Sequence, residues 1–348
     1  MGTLWFWIVA AMLAAYVVLD GFDLGVGVLL LFVARTDGER QQVLKAIGPV
    51  WDGNEVWLLA AGGTLFFAFP LLYASAFSGF YMPLMIVLWL LILRGLSVEL
   101  RMHTHDTLWR DFWDSVLCLS SSLLAIIFGA ALANVIRGVP IGADGFFYLP
   151  LWTDWRTGLN PGILDWYTVI GGVMSLAALA LHGALYLALK TTGAVEARAW
   201  SAARRLWPIV TVGTFLSIPA TVVARPSSLD NYLGHPAAIL APLGVTAALA
   251  ALAVFLRRRD ALAAFLASCG YLAAMLCGAA AGLYPTLLPS TSSAAMDITV
   301  QSAMAGSHTL SVGLVWWSLG AALALFYFGV VYWLFRGKVS ESSGSYGH

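Results

Sequence analysis

Residues 4–33, LWFWIVAAMLAAYVVLDGFDLGVGVLLLFV, are apolar except for a few positions and contain no basic side chain. A helix needs about 20 mainly apolar residues to cross the hydrocarbon core of a bilayer. This run therefore predicts a first transmembrane helix, and it is too long to be a cleaved signal peptide. Two carboxylates, Asp20 and Asp23, interrupt it.

The composition of the whole chain indicates the same class of protein. Of its 348 residues, 60% are hydrophobic and 10% are charged, and the mean hydropathy is +0.84. Soluble domains contain about 25% charged residues, so we expect a polytopic integral membrane protein. The formal net charge is zero, which gives no general attraction to nucleic acid. The three cysteines have no metal-ligand or redox spacing, and no metal site is predicted.

Apolar runs of sufficient length predict an all-α fold with nine transmembrane helices. We expect a single membrane domain over residues 1–338, arranged as two four-helix bundles plus one extra helix. The Ser- and Gly-rich residues 339–348 are expected to form a disordered cytoplasmic tail. The predicted spans are about 4–33, 54–73, 77–97, 115–137, 166–189, 207–225, 236–256, 262–286 and 308–335.

The basic residues predict how these spans are oriented. With nine spans and the N-terminus outside, only Arg137, Arg156 and Arg225 of the 18 Lys and Arg residues face outward. The other 15 lie on the cytoplasmic side, as the positive-inside rule requires. We therefore expect a multi-pass protein of the bacterial inner membrane whose C-terminus is inside.

Four carboxylates are predicted to lie near the cytoplasmic leaflet. Asp20 and Asp23 share one face of the first helix, and Asp52 and Glu55 share a face at the start of the second. Acids at membrane depth usually have a functional role or an ion-pair partner. The spacing alone leaves two interpretations open: a structural ion-pair network, or an entry path for protons.

The third predicted span brings basic partners to the same side. Arg94 is expected to pair with one of the acids in either case, because an unpaired buried charge is too unfavourable. Glu99 and Arg101 follow it and are expected to position and balance the acids. His182 and His308 lie at opposite predicted depths, so they do not form a pair of haem ligands, and a hydrogen-bonded structural histidine is favoured for each.

Several motifs together resemble subunit II of the cytochrome bd family of quinol oxidases. These motifs are Gly21-Phe22-Asp23-Leu24-Gly25-Val26-Gly27, Trp51-Asp52-Gly53-Asn54-Glu55-Val56-Trp57, Arg94-Gly95, Glu99-Leu100-Arg101, His182-Gly183-Ala184, Tyr284-Pro285 and Phe335-Arg336-Gly337-Lys338. The resemblance extends over nearly the whole chain. Residues 301–306, Gln-Ser-Ala-Met-Ala-Gly, depart from the family pattern and look closer to its cyanide-insensitive branch.

The resemblance implies a terminal oxidase that oxidises quinol and reduces oxygen to water, with protons taken from the cytoplasm. It implies a heterodimer with subunit I, which would carry two haems b and one haem d. It leaves open a structural quinone in this subunit and small accessory subunits. It assigns Asp52 to proton supply and places Trp57 near an oxygen route. Glu55, Asp20 and Asp23 are our further candidates for the proton path, and Asp20 and Asp23 could equally hold the subunit together.

Two other functions remain alternatives from the residues alone. A proton-coupled secondary transporter would also use buried acids, but such proteins often have internal repeats, and none is evident here. A structural scaffold would hold every acid in an ion pair.

Overall fold

The computed structural model describes residues 1–104, 106–234 and 236–340, and most of these residues are helical. One small antiparallel sheet pairs β1 (Thr286–Leu288) with β2 (Ile298–Thr299). The helices are α1 (Gly2–Val33), α2 (Asp37–Ile47), α3 (Trp51–Ala68), α4 (Pro70–Gly79), α5 (Tyr81–Leu100), α6 (Thr107–Arg137), α7 (Trp166–Lys190), α8 (Gly193–Ala224), α9 (Asp230–Gly234), α10 (Leu240–Arg258), α11 (Ala261–Leu283), α12 (Val300–Ala303) and α13 (Ser307–Leu334).

Eight helices in the described part of the chain are long and apolar enough to cross a membrane. They correspond to eight of the nine predicted spans. The second predicted span, 54–73, is not among them, so the count of nine is not confirmed. Its helix α3 stops at Ala68 because Phe69 leaves helical geometry ahead of Pro70, and polar groups in its first turn lower its hydropathy.

Helix α1 is the central element, since it contacts α3, α6, α7 and α11. Its closest approach is to α7, where a Cβ added to Gly25 would lie 1.9 Å from the carbonyl oxygen of Leu179. Gly183 on α7 lies at the same contact, because a Cβ added to it would lie 2.3 Å from the backbone of Gly25. Small residues allow such close backbone packing in membranes. Helix α1 contacts helices of both predicted four-helix bundles, so its contacts do not separate the two groups. The arrangement as two bundles plus one helix stays a prediction.

One end of the molecule is rich in ion pairs, and we call it the arginine-rich end. Here α1, α5, α7 and α13 finish and α3, α6 and α8 begin. Arg101, after α5, bonds Asp37 at the start of α2 at 2.8 Å. Arg198 of α8 donates to the carbonyl oxygen of Val33 at 2.6 Å. Lys190 of α7 donates to the carbonyl oxygen of Gly337 at 3.0 Å.

The predicted tail begins with an ordered contact. The backbone amide of Val339 donates to the carbonyl oxygen of Lys190 at 2.7 Å, and Gln42 donates to the carbonyl oxygen of Val339 at 2.7 Å. Val339 is therefore held against α2 and α7, and the disordered tail over residues 339–348 stays a prediction. Residues 341–348 of that tail lie outside the described residues.

The opposite end is closed by the 138–165 loop and by the β1–β2 segment. Arg137 at the end of α6 forms a buried ion pair with Asp165, which also caps α7. The amide of Val139 donates to the carbonyl oxygen of Pro289 at 3.0 Å. The amide of Ala305 donates to the carbonyl oxygen of Ala68 at 2.9 Å and so ties α3 to the segment before α13.

Candidate functional site

A buried ion pair joins α1 to α5. Arg94 is 2% exposed and Asp20 is fully buried. One guanidinium nitrogen of Arg94 donates to Asp20 Oδ2 at 2.7 Å, and the other donates to Oδ1. Bidentate pairing of this kind is strong and fixes orientation. Arg94 also lies 4.0 Å from Glu55 Oε2, so this cation faces two of the predicted acids.

Asp23 has a different set of neighbours from Asp20. Asn54 Nδ2 donates to Asp23 Oδ2 at 2.7 Å and to the carbonyl oxygen of Leu19 at 3.2 Å. The Tyr332 hydroxyl donates in turn to Asn54 Oδ1 at 2.9 Å. No ion-pair partner of Asp23 is found among the described residues, and its Oδ1 is buried without a hydrogen-bond partner there. Asp23 is thus held by neutral groups from α3 and α13.

Asp52 and Glu55 occupy the first turns of α3, three residues apart and hence on one face. Asp52 is exposed, whereas the Glu55 side chain is 23% exposed. Burial therefore increases from Asp52 through Glu55 to Asp20 and Asp23, and the acids form a series from the arginine-rich end into the interior.

Trp57 lies two residues after Glu55 on α3. Its ring packs against Phe328 of α13 with centroids 5.7 Å apart. Its indole nitrogen is buried and finds no partner among the described residues.

Glu99 and Arg101 are not in contact with these four acids in the described structure. Glu99 is exposed, and its backbone carbonyl oxygen lies 3.0 Å from His103 Nδ1. Arg101 is buried and donates to Asp114 at 2.5 Å. Asp114 was missed from the sequence because the fourth predicted span begins one residue later, at position 115. Its helical surroundings place it inside α6, where it is 1% exposed.

A second group of charges links α2, α6 and α8 at the arginine-rich end. Arg40 bonds both Asp111 at 2.5 Å and Asp114 at 3.1 Å. Arg198 pairs with Glu39 at 2.5 Å. The hydrogen bond from Arg198 lowers the pKa of Glu39 below its ordinary value of 4.5, against the opposing effect of burial. These pairs fasten the helix ends and are separate from the series of acids.

The His182 side chain is hydrogen-bonded at both ring nitrogens. His182 Nε2 donates to the carbonyl oxygen of Val18 at 2.9 Å, and its Nδ1 lies 2.7 Å from Ser268 Oγ. Both ring nitrogens are therefore occupied. No group of three His, Cys, Asp or Glu side chains in the described ranges is arranged to hold a metal ion.

Comparison with known proteins identifies the architecture that contains this site. Residues 1–335 match the family model described as cytochrome bd terminal oxidase subunit II. The chain belongs to this family. As in other bd oxidases, such a subunit acts together with subunit I in a haem-containing oxidoreductase complex.

Curated relatives from two bacteria align with nearly the whole length of this chain. Cytochrome bd-I ubiquinol oxidase subunit 2 of Escherichia coli K12 is 30% identical over 97% of this chain and 95% of its own length. Cytochrome bd ubiquinol oxidase subunit 2 of Bacillus subtilis is 32% identical over 97% and 96%, respectively. These bacterial relatives and the eight candidate spans indicate a multi-pass inner-membrane protein.

A solved structure of bd oxidase from Geobacillus thermodenitrificans has the same fold. It superposes with a TM-score of 0.76 at 17% sequence identity and covers 96% of this chain and 98% of the compared chain. The family assignment confirms the resemblance stated from the motifs. It supports a terminal oxidase subunit and not the alternative of a secondary transporter.

Proposed function

We propose that this bd oxidase subunit carries protons from the arginine-rich end toward the oxygen-reducing centre of its partner. The observation that carries the proposal is the series of acids from exposed Asp52, through Glu55, to buried Asp20 and Asp23. A carboxylate series of increasing burial suits proton transfer into a membrane protein. The buried Oδ1 of Asp23, which has no hydrogen-bond partner among the described residues, supports a place for a proton within this series.

The individual residues of this series have different proposed roles. Asp52 accepts a proton from water, and Glu55 passes it inward past Arg94. The Asp20–Arg94 pair fixes the electrostatic environment, since its bidentate geometry favours a permanent ion pair. Asn54 and Tyr332 hold Asp23 in place. Arg101 supports the surrounding helix end through Asp37 and Asp114.

The reaction of the complex follows from its relatives, which are named as ubiquinol oxidases. We propose that the complex oxidises a quinol and reduces oxygen to water, and that two haems b and one haem d supply this chemistry in subunit I. The occupied ring nitrogens of His182 support haem ligation outside this chain. Trp57 remains our candidate for the border of an oxygen route, and small accessory subunits are further proposed components.

We further propose nine membrane passages, with the N-terminus outside and the C-terminus inside. Helix α3 has 18 residues, and at 1.5 Å per residue it spans about 27 Å. Its first turn lies at the arginine-rich end, and Ala68 bonds Ala305 at the opposite end. A ninth passage therefore restores the alternation that places 15 of 18 basic residues inside.

We propose that a structural quinone binds between α1, α3 and α13. A cavity of about 600 Å³ lies between α1, α3 and α13, and Trp5, Phe67, His308 and Trp317 are among its lining residues. Aromatic walls with a few polar groups suit a quinone ring. We expect the purified complex to retain quinone that the Trp317→Ala variant loses; equal retention by the two would contradict this assignment.

The proton proposal is tested by replacing Asp52 with asparagine. We expect Asp52→Asn to lower steady-state oxygen consumption by about tenfold or more, because a proton-transfer group contributes at least that much. The haem absorption spectrum should be unchanged, since the side chain is exposed. Glu99→Gln is the matched control, because it removes an exposed carboxylate of the same end. Equal activity in both variants would remove Asp52 from the path.

A further inference from the structure

A basic pocket lies between α8 and α10 at the arginine-rich end, away from the acids discussed above. It has a volume of about 390 Å³, and its lining residues are Arg204, Trp207, Ala253, Leu256, Arg257 and Arg259. Trp207 Nε1 donates to the carbonyl oxygen of Leu249 at 3.1 Å and joins the two helices beside it. The pocket thus has three cations and an apolar wall.

The three arginines of this pocket lack acidic partners. Arg204, Arg257 and Arg259 are exposed, and no carboxylate of the described residues lies within 4.0 Å of their side-chain nitrogens, whereas the buried or half-buried Arg40, Arg101 and Arg198 at this end are paired. Three adjacent guanidinium groups repel one another. An anion between them would relieve that repulsion and accept hydrogen bonds from their forked donors.

The position of the pocket relates it to the membrane surface. Helix α8 has 32 residues, about 48 Å, which exceeds the roughly 30 Å hydrocarbon core. Its apolar part begins after Arg205, so Arg204 stands at the boundary between water and lipid. Beyond the pocket, the exposed side chains of Val212, Leu216 and Val254 present an apolar surface.

We propose that this pocket binds the headgroup of an anionic phospholipid. The phosphate would lie among Arg204, Arg257 and Arg259, and the acyl chains would follow the apolar surface of α8 and α10. Basic pockets between transmembrane helices bind such headgroups. A soluble phosphate would use the same arginines but would gain nothing from the apolar surface, and for that reason the structure favours a lipid.

The test uses the purified two-subunit complex in mild detergent after delipidation. Binding of phosphatidylglycerol is titrated by thermal shift, with phosphatidylcholine of the same acyl chains and inorganic phosphate as the other probes. The test variant is Arg204→Gln/Arg257→Gln. The matched control is Arg205→Gln/Arg258→Gln, which removes the same charge from neighbouring positions outside the pocket lining.

We expect the wild type and the control to be stabilised by phosphatidylglycerol but not by phosphatidylcholine. The test variant should bind phosphatidylglycerol about 10- to 30-fold more weakly, from the contribution of two arginines near an anionic headgroup. The Arg204→Lys/Arg257→Lys variant should retain most of the binding. If the glutamine pair does not assemble, the single variants Arg204→Gln and Arg257→Gln should each weaken binding about fivefold.

Three results would overturn the proposal. Equal weakening in the test and control variants would indicate only diffuse surface charge. Equal stabilisation by both phospholipids would remove the role of the headgroup charge. Inorganic phosphate that binds as tightly as the lipid would make this a site for a free anion.

Discussion

Asp20 and Asp23 lie one turn apart on the same helix, yet their surroundings differ in charge. Asp20 faces the guanidinium of Arg94, whereas Asp23 faces the amide of Asn54. Sequence spacing placed both acids on one face and anticipated a partner for Arg94. It could not distinguish the two acids, because the difference depends on which side chains of α3 and α5 reach each carboxylate.

The Arg94 guanidinium is expected to be indispensable for stability. Arg94→Gln leaves Asp20 buried without its countercharge, and the loss of one partner of a buried pair costs about 3–5 kcal/mol. We expect a corresponding fall in the free energy of unfolding in detergent, measured by denaturant titration. Arg336→Gln is the control, since Arg336 is exposed and stacks on Trp333. Similar free energies of unfolding for the two variants would show that the Asp20–Arg94 pair does not stabilise the protein.

The Tyr332 hydroxyl is expected to contribute less to stability than the Arg94 guanidinium. Tyr332→Phe removes the donor to Asn54 Oδ1, and an interhelical hydrogen bond in a membrane protein contributes about 0.6 kcal/mol. Turnover should fall as well, because Asn54 loses its fixed orientation toward Asp23. The comparison variant is Tyr327→Phe, whose side chain is 54% exposed. Oxygen consumption that is identical in the two variants would separate Tyr332 from the site.

At the scale of elements, small residues determine how closely the helices pack. At the contact of α1 with α7, the missing side chains of Gly25 and Gly183 let the two backbones approach. The sequence could not identify α7 as the partner of α1, because the two helices are distant in sequence and 34 glycines offer many possible contacts. The break at Phe69 was also missed, since a proline inside an apolar run can equally lie within a continuous membrane helix.

The contact between α1 and α7 predicts that alanine substitutions at two glycines of α1 and α3 have different effects on stability. Gly25→Ala places a methyl group 1.9 Å from the Leu179 carbonyl oxygen and must separate the helices. We expect a loss of about 1–3 kcal/mol in stability, as for other overpacked cores. Gly63→Ala meets nothing within 4 Å and should be neutral or stabilising. Thermal unfolding of both variants in detergent measures the difference, and equal midpoints would refute the contact.

The junction between α2 and α8 is expected to weaken in acid. Because the folded-state pKa of Glu39 is lowered by Arg198, its stabilisation is present above about pH 4.5 and is lost as the pH falls through the lower folded value. Stability measured against pH should therefore decline below 4.5 in the wild type. In Glu39→Gln this part of the decline should be absent; an unchanged profile would show that Glu39 does not contribute.

For the whole molecule, hydropathy and charge placement were sufficient to predict a polytopic helical protein and most of its spans. The family motifs predicted its membership among bd oxidase subunits, which the comparisons confirm. Packing around α1 and the ion pairs through Asp114 could not be predicted, because they join segments distant in sequence. The pocket between α8 and α10 depends on the same long-range arrangement.

The central claim is that protons enter the complex through Asp52 and the acids behind it. The most direct measurement is proton uptake by the fully reduced complex in nanodiscs after an oxygen pulse, followed with a pH-sensitive dye. We predict that Asp52→Asn slows proton uptake about tenfold or more while haem content is unchanged. Proton uptake at the wild-type rate in the Asp52→Asn/Glu55→Gln double variant would contradict the account.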